Sequence, residues 1–320
     1  MKKLILSALA LTTLFACGGG STNDATSAND STATSLSGSI QIDGSSTVFP
    51  ISEAVAEEFR SVQPNVKVPT GQSGTGGGFK KFIRSEIDIC DASRPIKKGE
   101  AHECDSLNIK YVELEVAKDG LAIVVSKENT WLKDITVAEL KMLWESAAQG
   151  KITKWNQVRK TWPNEPIKLF GAGTASGTFD YFTEAINGKQ GDCRGDYTAS
   201  EDDNVLVQGV STDKNALAFF GLAYYEASKD KLNLVAVDNG AGAILPTTET
   251  VMNGTYAPLA RPLFIYVNGN AAKRAEVVTF TNFYLDKASA LAQEVGYIAL
   301  TPEKITEQKT KFEAFLKELK

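Results

Sequence analysis

The sequence predicts an α/β fold of two lobes with a ligand cleft between them. Three observations predict it. The chain has 320 residues, long for one compact core and suited to two of ordinary size. From Ser39 onward, short β-like runs alternate with amphipathic stretches, the order of a parallel sheet with crossover helices. Three loops rich in glycine and hydroxyls each follow a strand signal and precede a helix signal, where α/β proteins hold ligands.

The elements follow in order. Ser39–Ile42 is a strand signal. Pro50 suits the first turn of a helix, with Ile51, Val55 and Phe59 on one face. Val66–Val68 is a second strand. Gly71–Gly78 is a glycine loop, followed by a short helix Phe79–Arg84 and a third strand Ile87–Ile89. Leu121–Val125 is a longer strand signal after a charged stretch, Val112–Lys118. Thr136 and Glu139 form a capping box for a helix through Trp144. Ile167–Phe170 is a strand, Gly171–Gly177 a loop, and Thr178–Ile186 a helix. Asp203–Val210 reads as helical, Leu217–Leu222 as an apolar run and Pro262–Val267 as a strand. The last helix spans Pro302 to Leu319, with Ile305, Phe312, Leu316 and Leu319 on one face. The passages near Val112–Lys118 and Pro258–Pro262 are where the chain is expected to change lobe. That assigns residues 38–115 and 260–320 to one lobe and 116–259 to the other.

Composition narrows the function. Apolar residues make up 42% and charged residues 23%, as in soluble globular proteins, which excludes collagen, mucin, an acidic disordered tail and a polytopic membrane protein. A formal charge of −5 argues against a nucleic-acid partner, since phosphate backbones demand clustered positive charge. The single histidine, His102, excludes His-rich metal sites and is the only imidazole a serine triad could use.

The first 16 residues read as an export signal. Lys2 and Lys3 precede an apolar run, Leu4–Ala16, too short to span a bilayer. Leu14-Phe15-Ala16-Cys17 resembles a bacterial lipobox, which implies acylation of Cys17 and cleavage before it. The other reading is a plain secretory signal. The tract to Ser37 is almost all Gly, Ser, Thr, Asn, Asp and Ala, a flexible tether that cannot build a core. The expectation is an exported protein, in the periplasm or at the cell surface, held to a membrane by lipid. Export permits disulfides, and Cys90–Cys104 is the pair nearest in sequence; free thiols at Cys90, Cys104 and Cys193 are the alternative.

The three loops carry the chemistry. They are Asp43–Pro50, Gly71–Gly78 and Gly171–Thr178. Each brings hydroxyls and unobstructed N–H groups to a helix start, which has unpaired donors and partial positive charge. One such loop alone is most often only a cap and a turn. None is a nucleotide P-loop, because no Gly-Lys-Ser/Thr follows, and none is a dinucleotide G-x-G-x-x-G. The pattern favours a small tetrahedral oxyanion held mostly by neutral donors. Between the second and third loops, Ser93 adds a hydroxyl and Arg94 a planar fork for two oxyanion oxygens. The plain alternative for Arg94 is an ion pair with Asp88 or Asp91.

Together, DGSSTVFPISEAVAEEF (Asp43–Phe59), GQSGTGGGFKKF (Gly71–Phe82), IDICDASRPI (Ile87–Ile96), Gly171–Phe182 and PLARPLFIYV (Pro258–Val267) resemble the phosphate-binding proteins of Pst-type ABC importers, in the branch that carries Ser-Arg-Pro. The resemblance runs from Ser39 to the last helices. It implies a periplasmic-binding-protein-like fold of two lobes that closes on inorganic phosphate and delivers it to a membrane permease. It implies no catalysis, no cofactor and no metal, and a monomer. By position it places the ligands at Ser46, Thr47, Ser73, Thr75, Gly76, Ser93, Arg94, Ser176, Gly177 and Thr178.

Two positions depart from the best-known branch. Its third-loop arginine is Ala172 here, and the aspartate after its serine is Arg94 here. Arg94 is therefore expected to supply the cation. A carboxylate matters because phosphate near neutral pH keeps a proton that a carboxylate can accept, whereas sulfate has none. Asp91 and Asp43 are the candidates, each also readable as a loop acid or a helix-dipole partner. The rival readings are a receptor for sulfate or molybdate, a hydrolase using Ser176, and a surface adhesin. The hydrolase lacks a G-x-S-x-G elbow, and the adhesin predicts no tight anion binding.

Overall fold

The computed structural model describes residues 36–174, 176–200 and 202–320. The expected export signal (1–16), Cys17 and the expected tether up to residue 35 lie outside the described residues. The expected tether runs through Ser37, yet Leu36 is half-buried, packs on an apolar cluster and donates its N–H to Gln63 Oε1 at 3.0 Å.

The elements that position the cleft are, in chain order, β1 (Ile42–Gly44), α1 (Phe49–Val62), α2 (Thr75–Ile83), β2 (Ile89–Ala92), β3 (Tyr111–Ser126), α3 (Val137–Trp144), β4 (Lys168–Ala172), α4 (Gly177–Phe182), β5 (Thr198–Ser200), α5 (Asp203–Ser211), β6 (Ala216–Gly221), β7 (Ala260–Asn268), α6 (Ala275–Glu294) and α7 (Pro302–Glu318). Several form as expected. Pro50 lies in the first turn of α1, which buries Ile51, Val55 and Phe59. Thr136 caps α3 through a full capping box with Glu139. Thr301 caps α7, which buries Ile305, Phe312 and Phe315.

Two elements differ from expectation. The second helix starts at Thr75, so the second half of the glycine loop is already helical. The charged stretch Val112–Lys118, expected only as a passage near a change of lobe, is part of the 16-residue strand β3. Val112, Leu114 and Val116 are buried, while Glu113, Glu115 and Lys118 alternate with them on a half-exposed face. Charge there reflects strand period.

Among the described residues, the main sheet has the path β1-β2-β7-β3-β6-β4-β5, with two short strands, Leu232–Leu234 and Ile298–Ala299, pairing with β3 off that path. β1–β2, β4–β6 and β4–β5 are parallel; β2–β7, β7–β3 and β3–β6 are antiparallel. The sheet is thus mixed rather than parallel, because β3 and β7 run against each other from Ala260↔Gly120 to Asn268↔Tyr111. One residue beyond Gly120, β3 changes neighbour: Leu121–Val125 pair with β6.

The core divides at the same place. One apolar cluster draws on Leu121 through Leu259, around Trp144, Phe182 and Phe219. A second draws on residues up to Ala117 and from Leu263 onward, around Phe59, Phe280 and Phe312. A third holds Phe79, Phe82, Cys90, Cys104 and Tyr266. The expected Cys90–Cys104 disulfide is corrected here: both are free thiols within that third cluster, as is Cys193 elsewhere. Burial pushes the Cys90 thiol well above its usual range and the Cys104 thiol up to about 11, so both stay protonated as small apolar groups.

Candidate functional site

A cleft of about 600 Å³ gathers residues from both sides of the divided core. Ser46, Thr47, Ser73, Thr75, Gly76, Ser93 and Arg94 line it, so seven of the ten expected site residues meet in one place.

The first loop leaves β1 through Gly44 (φ 145°). A Cβ there would come within 2.1 Å of the Asp91 carbonyl oxygen, so the close approach of β1 to β2 demands glycine. Ser45 then donates its N–H to that same carbonyl at 2.9 Å. α1 begins beyond Val48 without a side-chain cap. The second loop is held from beneath by a carboxylate. Asp43 accepts from Ser73 N–H at 2.9 Å, from Ser73 Oγ at 2.5 Å and from Lys81 Nζ at 2.5 Å. Burial works against its charge, but Lys81 and Ser73 outweigh it and hold its pKa below the ordinary value. Above it, the N-cap of α2 is Gly74 (φ 76°), which has no side chain to cap the helix. Thr75, Gly76 and Gly77, whose first-turn N–H groups have no intrahelical acceptor, line the cleft. The Thr75 and Ser93 hydroxyls are 3.1 Å apart, and Ser93 N–H donates to Thr75 Oγ1 at 3.2 Å.

The third loop lies alongside rather than inside. Ser176, Gly177 and Thr178 line a neighbouring hollow of about 290 Å³ that shares Ser46 with the main cleft. Ser176 Oγ caps α4 by accepting from Thr178 N–H at 3.1 Å. Gly177 abuts the first loop, its carbonyl accepting from Thr47 Oγ1 at 3.4 Å.

Arg94 lines the cleft, but its fork is committed. It makes two parallel hydrogen bonds to Glu100, both 2.8 Å, and lies over the Phe79 ring. The ion-pair alternative is therefore the observed state, with Glu100 in place of Asp88 or Asp91. Neither candidate carboxylate reaches the cleft. Asp43 is spent on the second loop. Asp91 is fully buried behind the first loop, where burial pushes its pKa well above the ordinary value; Ser52 Oγ donates to Oδ1 at 2.9 Å and Oδ2 has no partner. His102 is exposed on a helix outside the cleft.

Sequence reading missed several charged groups that do line it, among them Asp180, Glu184 and Arg261. Asp180 sits in α4 and accepts from Ser46 Oγ at 3.3 Å; burial raises its pKa, against Ser46 and Gln190, which favour the charge. Arg261 opens β7. A guanidinium in an otherwise apolar strand was the one available signal. An anion entering this cleft would meet hydroxyls and amides on one side and a carboxylate on the other, a set suited to an oxyanion that carries a proton.

The chain matches the PBP superfamily domain over residues 27–288. It is 53% identical over 274 residues to Protein SphX of Synechococcus elongatus, covering 85% of this chain and 81% of that one. It is 38% identical over 302 residues to the phosphate-binding protein PstS of Staphylococcus saprophyticus, covering 94% and 90%. The crystal structure of a possible phosphate binding protein from Planctomyces limnophilus superposes with a TM-score of 0.85 at 50% identity, covering 89% and 99% of the two chains.

Proposed function

The chain belongs to the phosphate-binding proteins of the PBP superfamily, and we propose that it captures inorganic phosphate in the cleft between two lobes and delivers it to an ABC permease. The observation that carries this reading is the convergence of the first loop, the open first turn of α2 and Ser93 opposite Asp180 in a single cleft. The neutral donors of Ser46, Thr47, Thr75, Gly76 and Ser93 would hold the phosphate oxygens, while Ser73, whose N–H and hydroxyl both serve Asp43, would hold the loop in place. Ser176, Gly177 and Thr178 would come to the anion from the other side, and their contact with Thr47 through Gly177 supports that. Asp180 takes the part first sought at Asp91 or Asp43: it accepts the phosphate proton, and a fully ionised sulfate would face it as an unpaired like charge.

The proposed lobes are residues 38–115 with 260–320, and residues 116–259. The division of the apolar core between Ala117 and Leu121 and between Leu259 and Leu263 supports them. Phosphate then favours the closed form by touching both. The protein would act outside the cytoplasmic membrane as a monomer, anchored by acyl chains on Cys17 after loss of residues 1–16.

The test is calorimetric titration of protein stripped of ligand by unfolding and refolding, with phosphate, sulfate and molybdate compared at one ionic strength. One-to-one binding of phosphate with a weak sulfate response is expected. Preference for sulfate or molybdate, or silence toward phosphate, would overturn the reading.

A further inference from the structure

We propose that Arg261, rather than Arg94, is the cation that the bound anion meets, and that Arg261 ties anion binding to lobe closure because groups from both sides of the cleft hold it. The inference rests on the phosphate reading above. Arg261 lies at the start of β7, in register with Asp119 of β3, next to the point where β3 passes from one apolar cluster to the other. Its side chain is only 12% exposed. Nε donates to Asp119 Oδ2 at 3.3 Å, and Nη2 donates to Thr47 Oγ1 of the first loop at 2.7 Å. The guanidinium carbon lies over the ring of Tyr181 of α4, 3.5 Å from the ring centroid, and Tyr181 is itself fixed by donating to the Pro258 carbonyl at 2.6 Å.

The other cations of the cleft differ. Lys80 and Lys97 are exposed, and Arg94 is neutralised by a bidentate carboxylate on its own side. Arg261 has a single, longer bond to its carboxylate. Burial raises the pKa of Asp119, and Arg261 works against that shift. A fork held on a ring, a carboxylate and a loop hydroxyl is oriented before the ligand arrives, which lowers the ordering cost of binding. Opening the lobes would separate Thr47 from Tyr181, and Arg261 touches both.

The experiment is phosphate calorimetry on ligand-stripped wild type, Arg261→Gln, Arg261→Lys and Arg94→Ala. Unfolding midpoints without phosphate report folding, and small-angle scattering with and without phosphate reports closure. Arg261→Gln should bind phosphate about 10- to 100-fold more weakly, the range for a hydrogen bond to a charged group, and compact less when phosphate is added. Arg261→Lys keeps the charge without the fork and should fall between. Arg94→Ala should bind within about threefold of wild type, because its guanidinium serves Glu100. Removing one member of a buried pair can unfold a protein, so the double variant Asp119→Asn/Arg261→Gln removes both. It should be as weak as Arg261→Gln. A folded Arg261→Gln or double variant that binds within twofold of wild type overturns the proposal, as does a greater loss in Arg94→Ala. If wild type ignores phosphate, the reading of function fails instead, and the same variants titrated with sulfate decide Arg261.

Discussion

Asp43 and Asp91 sit on adjacent parallel strands, one register step apart, and the fold uses them in opposite ways. Asp43 meets an ammonium and a serine, stays charged and holds the second loop from below. Asp91 meets only hydroxyls, Ser52 directly and Tyr284 beyond it, and burial pushes the pKa of its carboxyl well above the ordinary value. Its backbone, not its side chain, holds the first loop, through the carbonyl that accepts from Ser45. Two loops of similar composition are thus fixed by different physics, one by a buried charge and the other by close backbone approach.

The comparison can be broken first at the backbone. Gly44→Ala would place a methyl 2.1 Å from the Asp91 carbonyl oxygen at a φ that alanine avoids. We expect a loss of about 3 kcal/mol or more in unfolding free energy, measured by denaturant titration. A near-normal midpoint would mean that β1 and β2 have room to part. Next comes the charge. Asp43→Ala removes the acceptor of three hydrogen bonds and should cost about 2 kcal/mol, since Lys81, being partly exposed, can turn to water. Phosphate affinity should fall with it, as Ser73 and the start of α2 lose their support. Undiminished affinity in a folded Asp43→Ala protein would detach the second loop from the site. Smaller again is Thr75→Val, which keeps the helix but removes the hydroxyl shared with Ser93. Calorimetry should show phosphate binding weaker by about fivefold, the scale of one neutral hydrogen bond, with the unfolding midpoint little changed.

How much of this could be read from the sequence depended on range. α1 was legible because Ile51, Val55 and Phe59 repeat at helical spacing within one element. The capping box of α3 was legible because both partners lie within four residues. The start of α2 was not, because a run of glycines disfavours helix on propensity alone; the first turn tolerates them where open amides are wanted. β3 was half legible: its buried end is uniformly apolar, but its other end alternates with charge and read as a passage near a change of lobe. The hydroxyl loops were found by composition. The charged groups were not. Arg94 stood beside a loop with Asp88 or Asp91 as its alternative partner, whereas Glu100 six residues on claims it. Arg261 faces Asp119 only through strand register, and Asp180 reaches Ser46 only across the cleft. Such pairings belong to topology, which local spacing does not encode.

The smallest expected effect is also the sharpest test of the contrast between the two acids. A carboxyl whose folded pKa lies below its unfolded value of 3.8 adds stability above that value and loses it as pH falls through the folded pKa; this is Asp43. A carboxyl whose folded pKa is raised does the reverse: the folded state binds the extra proton, so stability declines as pH rises from 3.8 toward the folded pKa; this is Asp91. Asp91→Asn keeps an oxygen for Ser52 and carries no proton to lose. Its unfolding free energy should lie within about 1 kcal/mol of wild type at low pH, where both side chains are neutral, and gain on wild type as pH rises. Urea titrations from about pH 4 to about pH 8 would show the difference as a slope. Parallel pH profiles would mean that Asp91 titrates as it does in the unfolded chain. In that case burial would not separate it from Asp43, and the first loop would rest on a charge after all.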